Sequence, residues 1–184
     1  DSERKNLRII DRNAHRLLDL VNQLLDFSKV ENRSMVVRFK VQNICNMLQA
    51  VTERFEPTFA QNGINFKIEM PDSHFTAVID NEAITKVVSN LLTNARKYTN
   101  DFVRLSCHVM PDDNSFAIEV EDNGVGIDPN DHERIFNAFY QSADNKPGTG
   151  IGLSIVKNIV DQHHGNVRVK AEPGHRAIFT VLLP

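Results

Sequence analysis

Apolar positions in the first thirty residues recur at Leu7, Ile10, Ala14, Leu17, Val21 and Leu24, and Ser28 continues the series, a spacing of 3, 4, 3, 4, 3, 4. That is the seam of a coiled coil or helical bundle, and it predicts one long helix. Leu18 and Leu25 widen the stripe, which suits a bundle more than a two-stranded coil. No other segment offers a matching helix, so the seam is expected to be buried against another copy or a helix outside this chain. The polar run Glu31-Asn32-Arg33-Ser34 ends the pattern. Residues 35–41 then read as a strand. Ile44, Met47, Leu48, Val51, Phe55 and Phe59 predict a helix that Gly63 stops. Residues 64–70 and 76–79 read as strands. Asp80 suits an N-cap for a second helix, whose core side is Ile84, Val87, Val88, Leu91, Leu92 and Ala95. Residues 102–109 and 115–120 predict a hairpin across Pro111-Asp112-Asp113-Asn114. A short helix is expected around 133–138 and a third long one over 151–161. Residues 167–171 and 177–182 read as closing strands around Glu172-Pro173-Gly174. Strands and helices do not alternate regularly, which excludes a doubly wound fold. The expected class is α+β: a two-layer α/β sandwich, its mixed sheet covered on one face by three helices, plus the N-terminal bundle helix. The expected units are residues 1–31 and 35–184.

Composition narrows the classes. Of 184 residues 41% are hydrophobic and 24% charged, enough for an ordinary packed core. Lys and Arg number 21 against 24 Asp and Glu, a net charge of −3. A nucleic-acid binder normally carries a basic surplus, so none is expected as partner. The two cysteines form no disulfide framework and fit a reducing compartment; Cys107, in the alternation Val103, Leu105, Cys107, Val109, reads as a buried thiol. No apolar run approaches the roughly 18–20 residues of a membrane span. The chain opens with Asp1 and is already amphipathic by Leu7, so it is expected to be a piece of a longer protein.

Three segments carry candidate chemistry. Asn90, Asn94 and Lys97 share one face of the second sheet-covering helix, opposite the core residues Leu91, Leu92 and Ala95. Asn is a poor helix former, so two on one face is unusual. An amide oxygen there suits a hard cation and Lys97 suits a phosphate; the plainer alternative is a solvated polar face. Asp122-Asn123-Gly124-Val125-Gly126-Ile127 follows a strand directly. Two glycines flanking one residue let backbone approach a ligand, and a strand-end Asp can accept from an exocyclic amine; the alternative is a tight turn with a capping Asp. Pro147-Gly148-Thr149-Gly150-Ile151-Gly152-Leu153 opens a helix, and glycine-rich backbone at a helix N-terminus is an anion site. Its G-x-G-x-G spacing is not the dinucleotide G-x-G-x-x-G, and no strand immediately precedes it. The sequence holds no P-loop, and the H-R-D and D-F-G signatures of eukaryotic-type kinases are absent.

In this order, the segments resemble the sensor histidine kinases of two-component signalling, within the ATPase superfamily that includes gyrase, Hsp90 and MutL. Residues 90–99 look like the N box, 122–126 the G1 box, 133–141 the F box and 148–157 the G2 box. The opening helix is similar to the second helix of the dimerisation and phosphotransfer domain. The resemblance covers essentially the whole chain. It implies binding of ATP with Mg²⁺ and donation of the γ-phosphate to a histidine, for relay to the receiver domain of a response regulator. It also implies a homodimer through the N-terminal helix and a cytoplasmic location, with any inner-membrane anchor elsewhere in a larger protein.

The same resemblance distributes the roles. Asp122 would accept a hydrogen bond from the adenine amino group, selecting ATP over GTP. Tyr98 would line the base or ribose side, and Gly124 and Gly126 would let backbone press on the base. Asn94 would be the Mg²⁺ ligand and Lys97 would meet the phosphates. Asn90 stands where gyrase-like relatives carry a water-activating glutamate. Gly148 and Gly150 would offer amides to phosphate, with Thr149 as a hydroxyl donor and Gly152 at the helix start. Ile127, Ile151 and Leu153 would be pocket wall or core. Residues 140–149 would form a lid, with Phe136 and Phe139 anchoring its base. No catalytic residue is expected within this chain, because the family's phosphoacceptor histidine sits on the preceding helix. His15 lacks the acidic neighbour of that motif and reads as a bundle-edge side chain; His163 and His164 are expected at a helix end, where imidazole suits the dipole. The alternatives are an anti-sigma-type serine kinase, which the bundle helix disfavours, and a nucleotide-responsive interaction module.

Overall fold

The computed structural model describes residues 2–31, 36–72, 75–110, 114–141 and 148–184, together with part of the side chains of the first helix. The chain divides into two compact units, residues 1–36 and 37–184. The first holds α1 (Ser2–Glu31), and Leu7, Ile10, Leu17, Leu18, Val21, Leu24 and Leu25 are all exposed along it. The side chain of His15 lies outside the described residues.

The second unit runs β1 (Lys40–Asn43), α2 (Ile44–Gln61), β2 (Asn65–Glu69), β3 (Thr76–Ile79), α3 (Asn81–Tyr98), β4 (Phe102–Met110), β5 (Ser115–Asp122), α4 (Gly152–Gln162), β6 (Asn166–Ala171) and β7 (Ala177–Leu183). Single 3₁₀ turns at Pro129–Asp131 and Arg134–Phe136 fall between β5 and α4. The five-stranded sheet has the order β2-β4-β5-β7-β6, with β2 parallel to β4 and the other pairs antiparallel. Along β4 and β5 alternate residues Val103, Leu105, Ile118 and Val120 are buried; α3 packs over β5 and α4 over β6 and against α3, burying Ile84, Val88, Leu91, Leu92, Ile155, Val156 and Ile159. Alternation sends Arg104 and Glu121, which are paired with each other, to the opposite face. Cys107 is buried as read from the alternation, and burial pushes its thiol up to about 12.

Two elements differ from the sequence reading. The strand expected over 35–41 is β1, which pairs antiparallel with β3 in a separate two-stranded ribbon. Phe39, just before β1, packs its ring edge-on against His163 at 5.1 Å; Met35 and the turn residues 111–113 lie outside the described residues. The helix expected around 133–138 is one 3₁₀ turn: Ile135 is buried, Phe136 meets the Phe179 ring at 6.4 Å, and Asn137 is already extended at φ −76°, ψ 140°.

Helix starts are set locally. Asn43 Oδ1 accepts from Asn46 N at 2.9 Å, and Asp80 Oδ1 accepts from Ala83 N at 3.0 Å. The backbone N–H of Asp80 also donates to His163 Nε2 at 3.1 Å, while His163 Nδ1 lies 2.8 Å from the Ile159 carbonyl oxygen. His163 is the C-cap of α4, as expected, yet its role differs: 2% exposed, it is a neutral Nδ1–H ring joining the end of α4 to the start of α3. Burial holds its pKa below the ordinary 6.5. The unfolded chain takes up this proton as pH falls through 6.5, before the folded chain does. The link therefore contributes fully above that pH and is lost as pH falls from there towards the lowered folded value. Between about pH 7.5 and pH 5.5 the wild type is expected to lose more stability in urea melts than His163→Gln, which has no proton to gain; parallel losses would contradict the link.

Candidate functional site

The polar face of α3 is not its solvated face. Thr93 and Arg96 take that role and are exposed, Leu91, Leu92 and Ala95 face the core, and Asn90, Asn94 and Lys97 are half-buried between the two. Asn90 Nδ2 donates to the Lys86 carbonyl at 2.9 Å. This turns Asn90 Oδ1 towards the start of α4, where a Cβ added to Gly152 would lie 3.0 Å from it. Among the described residues, nothing hydrogen-bonds the Asn94 amide, so its oxygen is uncommitted. Lys97 Nζ donates to Tyr98 Oη at 2.7 Å and sits 4.6 Å from the Tyr98 ring centroid.

The turn after β5 is pressed against the end of α3. Asp122 is 4% exposed, and its Oδ1 accepts from Gly124 N at 2.9 Å. A Cβ on Gly124 would fall 2.1 Å from the Tyr98 carbonyl oxygen, so only glycine allows this approach. Asn123, between them, makes the densest set of polar contacts in the region. Its Oδ1 accepts from Thr99 Oγ1 at 2.9 Å, Phe102 N at 3.0 Å and Asp101 N at 3.2 Å. Its Nδ2 donates to Asp101 Oδ1 at 2.7 Å, and its carbonyl accepts from Asn100 Nδ2 at 2.6 Å. Sequence reasoning gave Asn123 no role of its own; the available signal was its turn-forming type directly after a strand. Gly126 has φ +69° and packs against the carbonyl of Glu172, in the turn between β6 and β7. The turn that carries Gly126 is thereby packed on the β6–β7 turn. Ile127 is half-buried beside it.

At the third segment, Phe139 N donates to the Gly150 carbonyl at 2.9 Å and Gln141 Nε2 to the Gly148 carbonyl at 2.7 Å. Gly150, at φ +70°, lies against the backbone of Phe139 and Tyr140. Thr149 Oγ1 accepts from Ile151 N at 3.3 Å, Ile151 is core and Leu153 is half-buried. Among the described residues no side chain caps α4, in contrast to α2 and α3, and its first turn starts beside Asn90. Phe136 packs on Phe179 beneath the 3₁₀ turn, and the Phe139 side chain is 61% exposed. Residues 142–147, most of the expected lid, lie outside the described residues.

The fold thus joins Asn90 to Gly152, Tyr98 to Gly124 and Asp122, and Gly148 and Gly150 to residues 139–141. No hydrogen bond among the described residues links Asn94 to either glycine segment. Cavities of about 470 and 380 Å³ lie at the other end of the sheet, around Met70 and Pro71, where β2 and β4 finish. No group of three or more His, Cys, Asp or Glu among the described residues could hold a metal ion, and no helix is long and apolar enough to cross a membrane. A metal here would need neutral oxygen and phosphate ligands, a donor set that suits Mg²⁺ and an uncommitted amide such as that of Asn94.

A glycine-rich helix start against Asn90, and a strand-end aspartate turn against Tyr98 of the same helix in an α+β sandwich, suit a nucleotide-handling domain. The family model of histidine kinase-, DNA gyrase B- and HSP90-like ATPases matches residues 79–184, more than half of the chain, and the chain belongs to that family. It is 36% identical over 185 residues to the sensor histidine kinase TmoS of Ectopseudomonas mendocina, covering 98% of this chain and 19% of that protein. It is 30% identical over 184 residues to the sensor histidine kinase WalK of Bacillus subtilis, covering 97% of this chain and 30% of that one. The chain thus spans a third or less of these relatives. Full-length ShkA, solved in complex with AMPPNP, superimposes with a TM-score of 0.83 at 29% identity, over 92% of this chain and 36% of that one. The nucleotide-free catalytic domain of the histidine kinase ThkA superimposes with a TM-score of 0.71 at 25% identity, over 80% of this chain and 97% of that one.

Proposed function

We propose that this chain binds Mg·ATP and presents its γ-phosphate to a histidine on a helix outside the chain, as part of a sensor histidine kinase that relays the phosphoryl group to a receiver-domain aspartate. The observation that carries the reading is the meeting of three motifs, with Gly124 against Tyr98 and Gly152 against Asn90. Asp122 accepts the adenine amino group, and Tyr98 flanks the base or ribose. The open amides at the start of α4, with Gly148, Thr149 and Gly150, take the phosphates, and Lys97 adds a positive charge on leaving the Tyr98 hydroxyl. Asn94 offers its amide oxygen to Mg²⁺, which when bound neutralises phosphate charge. Phosphoryl transfer needs mainly positioning and charge stabilisation, and these residues supply both. Asn90, an amide and not a carboxylate, is a poor base for water, so ATP is held for the histidine with little hydrolysis.

Residues 1–31 are read as the second helix of the dimerisation and phosphotransfer domain and 35–184 as the catalytic domain. The exposed seam of α1 is the homodimer contact. The kinase reading is favoured over the anti-sigma alternative because relatives at 30–36% identity over nearly the whole chain, α1 included, carry sensor kinase names. Titration with AMPPNP tests the reading. The wild type is expected to bind more tightly with Mg²⁺ than with chelator. Asn94→Ala is expected to lose about tenfold with Mg²⁺ and almost nothing without it. No binding by the wild type, or an unchanged Mg²⁺ dependence in Asn94→Ala, would overturn the assignment.

A further inference from the structure

We infer that Asn123 is a positioning residue that sets Asp122 against Tyr98 and so determines how well the site reads the adenine amino group; this deepens the nucleotide reading above and rests on it. Asp122 ends β5 and is held on its strand by pairing with Val103 and Ala177. Beyond it the ladder stops, and the α3–β4 connection brings unpaired backbone donors to the same place. Asn123 collects them: one amide oxygen takes the N–H groups of Asp101 and Phe102 and the Thr99 hydroxyl, while the amide nitrogen goes to Asp101 Oδ1. The Asn123 N–H completes the join to the Phe102 carbonyl at 3.3 Å. The residues on either side of this clamp are those assigned to the base. Asp122 and Gly124 flank it on the strand side, and Tyr98 precedes Thr99 on the helix side. With Gly124 already against the Tyr98 carbonyl, loosening the clamp shifts the Asp122 carboxylate relative to the ring, while the buried faces of α3 and β5 still hold the fold.

The pattern of donors makes a specific test possible. Asn123→Asp keeps the accepting oxygen but replaces the Nδ2–H donor with a second carboxylate oxygen facing Asp101. Adding Asp101→Asn restores the same hydrogen bond with donor and acceptor exchanged. Affinities for Mg·ATP and for the triphosphate of unsubstituted purine riboside, which has no amino group for Asp122, are measured on both variants and on Asp122→Ala. Asn123→Asp is expected to weaken ATP at least about tenfold and the unsubstituted purine less than about threefold, and the exchanged pair to recover ATP binding to within about threefold of wild type. Because the readout is a ratio of two nucleotides on one protein, partial unfolding does not imitate it. If Asp122→Ala binds both nucleotides like the wild type, the adenine reading itself fails. If Asp122→Ala discriminates but Asn123→Asp does not, or the exchanged pair gives no recovery, Asn123 is not the positioning residue.

Discussion

Asp122→Ala is expected to weaken binding of ATP by about 10- to 100-fold. Hydrogen bonds to a charged acceptor contribute roughly 1.5–3 kcal/mol, and each 1.4 kcal/mol corresponds to about tenfold in affinity. The position enforces the dependence. Asp122 is 4% exposed at the end of a central strand, so water is poorly placed to replace a lost carboxylate. One of its oxygens already accepts from Gly124 N, which fixes the carboxylate plane before any nucleotide arrives. Removing it also frees a buried backbone donor, so a modest loss of stability, about 1 kcal/mol, accompanies the loss of affinity. Calorimetric titration with AMPPNP at constant Mg²⁺ separates the two effects, because a fold loosened by that amount is still almost fully populated. GTP, with a carbonyl where ATP has an amine, should bind the wild type poorly and gain on the variant relative to ATP. Unchanged ATP affinity, within about threefold, would remove Asp122 from the site.

The sandwich was readable because its helices and inner strands obey clean periods. Ile84, Val87, Val88, Leu91, Leu92 and Ala95 repeat at helical spacing and are all core, and Asp80 is the N-cap that its type and place announced. Strands β4 and β5 alternate, so their ends were found within a residue or two. What pattern could not supply were relations between distant segments. Nothing in residues 35–41 states that the strand begins at Lys40, pairs with β3 and follows a Phe39 ring that meets His163, over a hundred positions away. The parallel placement of β2 beside β4 is equally silent in one strand's alternation. The three site motifs could be located, but which protein groups their residues meet could not. Asn123 shows one such omission: Thr99, Asp101 and Phe102 meet it only after α3 and β5 are docked. Gly126 shows another. The D-x-G-x-G pattern marks a close approach at this glycine but does not say that the Glu172 carbonyl lies on its Cβ side.

That packing makes Gly126→Ala a costly change for the fold as well as the site. Gly126 sits at φ +69°, a left-handed conformation that costs a residue with a Cβ about 1–2 kcal/mol. The added Cβ would also fall 1.8 Å from the Glu172 carbonyl oxygen and 3.0 Å from that of His175. Both are backbone atoms, so no side chain can swing away and one of the two turns must move, adding about 1–3 kcal/mol for overpacking. The expected total is about 2–5 kcal/mol, read as a fall in the urea midpoint at unchanged slope. An internal control lies in the facing turn. Gly174 has φ +75° and donates to the Val125 carbonyl at 2.7 Å, but nothing lies within 4 Å of its would-be Cβ. Gly174→Ala should therefore bear only the conformational cost of about 1–2 kcal/mol. The order of the two is the test, since equal losses would mean that the Glu172 carbonyl does not crowd Gly126. The same displacement moves the turn that carries Asp122 and Gly124. The Gly126 variant should therefore also bind AMPPNP less tightly while still folded, and the Gly174 variant should bind it like the wild type.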